Sequence, residues 1–222
     1  MIAGVRLKVC GLTSIVDAEA ADRCGADYLG FILHPGSPRF LPLAQYTAMT
    51  ARLPERRRVA VSVEPSAEDL SAMTRAGFDF FQIHFGVGID AARLEEWVVI
   101  AGRERLWLAP KLPPETDVPA GVLASAQTIL MDTFHASGFG GSGLTGDWTK
   151  FARHRAAFPD HTWILAGGLN ETNIGAALAA SGARFVDVNS GVESSPGVKD
   201  EAKLRCFAEA LRAVASSGRG GA

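Results

Sequence analysis

Ala180-Ser181-Gly182-Ala183-Arg184-Phe185 joins the end of one amphipathic stretch to the start of an apolar run through a single glycine. The same join recurs in Ala21-Asp22-Arg23-Cys24-Gly25-Ala26-Asp27-Tyr28 and in Thr74-Arg75-Ala76-Gly77-Phe78-Asp79. Glycine ends a helix by taking a positive φ just past its last turn, so the recurrence reads as a set of helix-to-strand turns. Outward from these joins, short β-branched or aromatic runs alternate with longer amphipathic stretches. Strands are predicted near Arg6–Cys10, Tyr28–Leu33, Arg58–Val63, Phe80–His84, Leu106–Ala109, Thr128–Met131, Thr162–Ala166 and Phe185–Asn189. Helical patterns cover Ile15–Cys24, Leu43–Ala51, Ala67–Ala76, Ala91–Ala101, Thr149–Phe158, Asn173–Ser181 and Glu201–Ala215. Between strands five and six, Pro113, Pro114 and Pro119 leave room only for a short or irregular helix.

Eight strands in 222 residues allot roughly 28 residues to each strand–helix unit. Alternating units of this kind build a parallel sheet, and eight of them favour an α/β fold closed as a (βα)8 TIM barrel. An open doubly wound sheet is the structural alternative. One domain is expected over residues 1–215, with Ser216–Ala222 as a flexible C-terminal tail of linker-like composition.

Composition narrows the function. Twenty-two basic and 24 acidic residues give a net charge of −2 with no long run of either sign. With a pI of about 6.2, the basic patch of a nucleic-acid binder is not expected. Three widely spaced cysteines make neither a disulfide framework nor a zinc site. The first residues, Met1-Ile2-Ala3-Gly4-Val5-Arg6, lack signal-peptide character, and no apolar run is long enough to span a bilayer. These features lead us to expect a cytoplasmic protein without a membrane partner, and they leave monomer and homodimer both open.

In a parallel barrel the active site lies at the carboxyl ends of the strands. Strand one ends in Lys8-Val9-Cys10-Gly11-Leu12, strand two leads into His34-Pro35-Gly36-Ser37-Pro38-Arg39, and strand four ends in Gln82-Ile83-His84. Strand six ends at Asp132, strand seven in Ala166-Gly167-Gly168-Leu169-Asn170, and strand eight in Asp187-Val188-Asn189-Ser190-Gly191. A buried structural thiol is the plain reading of Cys10, and a helix cap or paired charge that of Asp132. A lone Gly-Gly is often a tight turn. Glycines after both strands seven and eight, however, sit where this fold binds phosphate, with backbone N–H groups free to approach an anion and a following short helix able to add its partial charge. Ser137-Gly138-Phe139-Gly140-Gly141-Ser142-Gly143 reads equally as a surface loop or as a lid contributing amides to that cradle.

Together with Asp147-Trp148 and the run Val192-Glu193 through Ser195-Pro196-Gly197 to Lys199-Asp200, these segments resemble the phosphoribosylanthranilate isomerase family in order from Lys8 to Asp200. The resemblance implies a (βα)8 barrel in tryptophan biosynthesis. It implies an Amadori rearrangement of N-(5-phosphoribosyl)anthranilate, a small-molecule phosphoribosyl substrate, with no metal or organic cofactor. Carried over residue by residue, Cys10 matches the general base and Asp132 the general acid. Arg39 and His84 match substrate contacts, Arg39 at the anthranilate carboxylate, and Asp187 an aspartate near the ribose hydroxyls. Gly141, Ser142, Gly143, Gly167, Gly168, Asn189, Ser190 and Gly191 match the phosphate site.

An aspartate acid must stay protonated against a reference pKa of about 3.9, which burial beside an apolar ring would favour; Met131 and Phe134 flank Asp132. Lys8 and Cys10 project to the same side of their strand, so Lys8 lies one layer below the thiol, with Asp187 as its natural partner. Lys8 is therefore expected to lower the thiol pKa while Asp187 keeps Lys8 charged. Cys24 and Cys206 read as packing residues, His135, His154 and His161 as solvated, and His34 as a surface residue within reach of a ligand. Three positions depart from the family: Leu144 where a polar residue often follows the loop-six glycines, Asn189 in place of serine, and Phe85 in place of glycine. The alternatives are another phosphosugar isomerase or epimerase, an indole-forming synthase, and a noncatalytic phosphoribosyl-ligand binder. The enzymes among these would place metal-ligand histidines or catalytic lysines at the strand ends, and Cys10 with Asp132 argues against them.

Overall fold

The computed structural model of the chain describes residues 1–132 and 147–217. Among these residues the elements run β1 (Arg6–Val9), α1 (Ile15–Cys24), β2 (Tyr28–Ile32), α2 (Leu43–Met49), β3 (Arg57–Val63), α3 (Ala67–Arg75), β4 (Phe80–Gly86), α4 (Ala91–Ala101), β5 (Leu106–Lys111) and α5 (Ala120–Ser125). They continue with β6 (Thr128–Met131), α6 (Trp148–Ala157), β7 (Thr162–Leu165), α7 (Ile174–Ser181), β8 (Phe185–Val188), β9 (Glu193–Ser195), β10 (Val198–Lys199) and α8 (Glu201–Ser217). β1 to β8 pair in chain order and β1 also pairs with β8, all in parallel, so the sheet is a closed barrel rather than an open one. The closing seam sets Arg6 against Phe185, Leu7 against Val186, Lys8 against Asp187 and Val9 against Val188.

The glycine joins behave as their sequence requires. Gly25 and Gly182 cap α1 and α7 at φ 97° and 63°, and Gly77 follows α3 at φ 83°. At the opposite ends, the side chains of Ser14, Ser66, Asp90 and Asp147 accept hydrogen bonds from first-turn amides. Caps of this kind are worth about 1 kcal/mol each. The proline-rich segment holds only the six-residue α5. A 3-10 turn at Thr50–Arg52 finishes what the sequence reads as the end of α2, and the small antiparallel β9–β10 sheet has no counterpart in the expected elements.

Alternation along the strands sorts two apolar layers. Leu7, Val9, Leu29, Phe31, Ile83 and Phe85 point out under the helices, whereas Cys10, Val59, Val61, Leu130 and Ile164 point into the barrel. Phe85 is fully buried against Trp97 of α4, with ring centroids 5.7 Å apart. It is a packing residue facing away from the barrel axis, and this accounts for the tolerance of a large side chain there. Two sequence expectations are corrected. His154 is buried, accepting from the Val118 amide and sitting 2.9 Å from the Lys150 carbonyl, rather than solvated. Cys206 is exposed on α8, while Cys24 is buried as expected.

Inside the barrel, Tyr28, Phe80, Trp107 and Phe185 form an aromatic floor with neighbouring centroids 4.9–5.8 Å apart. The Arg6 guanidinium covers Phe185 from the amino side at 4.5 Å. Lys8 lies above this floor, completely buried, its Nζ 2.8 Å from Asp187 Oδ2. Room for its stem comes from Gly30 on β2, where an added Cβ would stand 2.8 Å from Lys8 Cε and 3.1 Å from the Cys10 Cα. Gly30→Ala is therefore expected to lower stability by about 1–3 kcal/mol through overpacking. A shift of the urea midpoint checks this, and an unchanged midpoint would show that Lys8 has space to move.

Candidate active site at the carboxyl ends of the strands

A cavity of about 430 Å³ opens at the carboxyl ends of the barrel strands. Cys10 enters it from the end of β1, its amide donating to the Val188 carbonyl and its side chain almost wholly buried. Asp132 enters from directly after β6, Asp187 from β8, and His84 from β4. Arg39 reaches in from the loop after β2, and Gly167, Gly168, Asn189 and Ser190 line the side formed by the loops after β7 and β8. The thiol and carboxyl singled out in the sequence thus share one cavity with the glycine loops. Ile32, Val61, Val63, Leu130 and Ala166 supply its apolar wall.

Gly191 stands apart from the lining residues and has another task. A Cβ there would fall 2.0 Å from the Leu169 carbonyl oxygen, so glycine is what allows the loops after β7 and β8 to touch. Asn170 and Asn173 shape the first of these loops. Asn170 Oδ1 accepts from the Thr172 and Asn173 amides, while Asn173 Nδ2 donates to the Gly168 carbonyl. A 3-10 turn of three residues, Ser190–Val192, follows β8. Gly141, Ser142, Gly143, Leu144, Phe134 and His135 lie outside the described residues, as does the end of the tail from residue 218.

Three placements differ from the sequence reading. Met131 packs on the outer apolar layer, and Leu130 is the residue that lines the cavity beside Asp132. His34 also lines the cavity. Arg39 is held by a carboxylate that the sequence did not single out: Glu193 accepts from its Nε at 2.8 Å and from its Nη2 at 2.7 Å. No signal in sequence spacing connects residues 154 positions apart.

The electrostatics are dominated by burial. Burial pulls the Lys8 ammonium down, but attraction to Asp187 and then to Cys10 outweighs it and leaves Lys8 above its ordinary value. The Cys10 thiol is pushed up by burial and by Asp187; Lys8 and Lys199 pull the other way without winning. Lys8 therefore acts in the expected direction, yet the net shift of the thiol is upward. Asp187 is raised by burial against the pull of Lys8. Its Oδ1 is buried with no hydrogen-bond partner among the described residues, in a residue that lines the cavity. Groups of three or more His, Cys, Asp or Glu able to hold a metal ion are absent among the described residues. No described helix is long and apolar enough to cross a membrane.

Comparison with known proteins converges on one family. A family model for N-(5'phosphoribosyl)anthranilate (PRA) isomerase matches residues 7–210. An N-(5'-phosphoribosyl)anthranilate isomerase of Cereibacter sphaeroides is 38% identical, covering 95% of this chain and 100% of its own. The crystal structure of phosphoribosyl anthranilate isomerase from Thermus thermophilus aligns with TM-score 0.78 at 30% identity, over 95% of this chain and 100% of that one. A phosphoribosyl anthranilate isomerase in complex with reduced 1-(o-carboxyphenylamino)-1-deoxyribulose 5-phosphate aligns at TM-score 0.77 and 29% identity, over 94% and 99% of the two chains.

Burial first, then the charges of Lys8 and His34, depress His84 to about 4. In the unfolded chain the same imidazole titrates near 6.5. The folded state thus excludes a proton that the unfolded state accepts, so this contribution to stability is complete above about pH 6.5 and is lost as pH falls toward 4. The His84 ring resonances are expected to titrate near pH 4 by NMR, and His84→Asn is expected to flatten the pH dependence of stability between those limits. A ring that titrates near 6.5 would refute the burial argument.

Proposed function

The chain belongs to the N-(5'-phosphoribosyl)anthranilate isomerase family, and from that premise we propose how its own residues divide the work of the reaction. The enzyme isomerises N-(5'-phosphoribosyl)anthranilate to 1-(2-carboxyphenylamino)-1-deoxyribulose 5-phosphate, a step of tryptophan biosynthesis. Ring opening breaks the bond between C1′ and the ring oxygen. Asp132 delivers a proton to that oxygen as the anilino nitrogen pushes its lone pair into an iminium. Cys10, as thiolate, then takes the C2′ proton, and the electron pair of that bond neutralises the iminium to give an enol-amine. Protonation at C1′ with loss of the enol proton yields the ketone. The observation that carries this reading is that Cys10 and Asp132, on the ends of β1 and β6, open into the same cavity. Two groups on different strand ends, reaching one substrate from separate sides, fit the need for an acid at one atom and a base at another.

We assign the phosphate to the loops after β7 and β8, because Gly167, Gly168, Asn189 and Ser190 form one side of the cavity. Backbone amides near glycines approach an anion without side-chain obstruction. Asp187 Oδ1, buried and unpaired among the described residues, suits a ribose hydroxyl donor. Arg39 suits the anthranilate carboxylate, since a guanidinium N–H makes a charge-assisted hydrogen bond to a carboxylate. We infer a cytoplasmic location, which agrees with three cysteines that are all free.

Loss of substrate fluorescence measures the reaction. Cys10→Ala and Asp132→Asn are each expected to reduce kcat by about 10²–10⁴-fold, the usual worth of a positioned acid or base. Full activity in Cys10→Ala would overturn the base assignment, and a wild-type protein that binds without turnover would indicate a binding protein. Because Lys8 pulls the thiol pKa down, Lys8→Met is expected to move the ascending limb of the kcat/KM–pH profile to higher pH. The same change leaves Asp187 buried without its cation, a loss of about 3–5 kcal/mol measurable by thermal or urea melting. An unmoved limb in a folded Lys8→Met protein would remove Lys8 from the catalytic argument.

A further inference from the structure

Glu193 opens β9, beyond the last barrel strand, and is almost wholly buried beside the cavity rather than in it. Its carboxylate accepts from Arg39 Nε at 2.8 Å and from Nη2 at 2.7 Å, a side-on pairing that occupies one edge of the guanidinium. Nη1 is engaged by none of the described residues. The same carboxylate accepts from Lys199 Nζ at 2.8 Å, and that ammonium also donates to Asn189 Oδ1 at 2.9 Å.

A guanidinium on a four-bond stem sweeps a wide arc and loses rotamer entropy when a ligand fixes it. Pairing through Nε and Nη2 removes that freedom in advance and leaves Nη1 as the presented donor. The carboxylate is itself fixed, because the Gly197 amide of the β9–β10 turn and Lys199 of β10 bind it. Glu193 is held well into its ionised form: burial opposes ionisation, and the hydrogen bond from Arg39 with the charge of Lys199 more than offsets it.

We propose that Glu193 is a positioning residue of this reaction, which, clamped by Lys199, aims Arg39 at the carboxylate of the substrate's aromatic ring. The proposal rests on the assignment of Arg39 above, and the test separates the two. The probes are reduced 1-(o-carboxyphenylamino)-1-deoxyribulose 5-phosphate and its phenylamino counterpart without the carboxylate, titrated against wild type, Glu193→Gln, Arg39→Met and the double variant. Glu193→Gln is expected to weaken the carboxylated ligand by about tenfold or more, a change of about 1.4 kcal/mol per factor of ten, and to leave the other ligand within about twofold. The double variant is expected to bind no worse than Arg39→Met alone, and kcat of Glu193→Gln to stay within about threefold of wild type because Glu193 touches no reacting atom. Equal weakening of both ligands, or of neither, while Arg39→Met discriminates between them would overturn the role of Glu193. If Arg39→Met itself fails to discriminate, the assignment of Arg39 falls, and the proposal with it. Should Glu193→Gln not fold, Glu193→Asp keeps the charge and withdraws it by one methylene; the same selective loss is expected, and no selectivity would overturn the proposal.

Discussion

A lysine ammonium and an aspartate carboxylate, 2.8 Å apart across the strands that close the barrel, are the constraint on which the rest depends. Each ion costs several kcal/mol to take out of water, and only the partner offsets it. Lys8 and Asp187 occupy paired positions in the β1–β8 register. A slip of one residue in β1 would turn Lys8 into the helix layer, where Leu7 and Val9 now sit, and leave Asp187 buried without its cation. The pair thus penalises other registers at the closing seam. Gly30 leaves the space, and the aromatic floor beneath keeps water from the amino side.

Fixing Lys8 also fixes what stands one layer above it. The thiol of Cys10 and the carboxylate of Asp187 compete for a single ammonium: Asp187 raises the thiol and Lys8 lowers it. Any group that drew Asp187 away from Lys8 would release part of that ammonium's field to the thiol. Around the cavity a second buried network, Arg39–Glu193–Lys199, repeats the arrangement with the signs exchanged. Here one carboxylate serves two cations, and one of those cations faces the cavity.

Much of the fold was legible because its determinants are local. The glycine joins at Gly25, Gly77 and Gly182 set the helix-to-strand periodicity, and alternation on β1 already placed Lys8 below Cys10. The residues at the strand ends followed once the strands were counted, since a parallel barrel gathers carboxyl ends on one face. What stayed hidden depends on contacts between distant segments. Glu193 meets Arg39 only after β9 and β10 fold back over the loops that follow β1 and β2. Phe85 is explained by its outward direction onto Trp97, and the burial of His154 depends on the Val118 amide from the preceding proline-rich segment. Met131 lies away from the cavity for a related reason: adjacency in sequence places a strand neighbour on the opposite face.

The base role proposed for Cys10 stands beside a pKa raised by burial, and the two effects of that shift oppose each other. Each unit of increase lowers the thiolate fraction tenfold when pH is below the pKa, while it makes the thiolate that remains a stronger base. Brønsted behaviour returns only part of the lost fraction, so the favourable pKa lies near the working pH rather than far above it. Burial in the barrel mouth drives Cys10 away from that point, and Lys8 drives it back. Moving the thiol into solvent would lower its pKa without help, but water would then screen Lys8 and compete for the C2′ proton's acceptor. The buried ammonium offsets part of what burial does to the thiol, and this gives the closing seam of the barrel a reason to carry a charge pair where two valines would pack more cheaply.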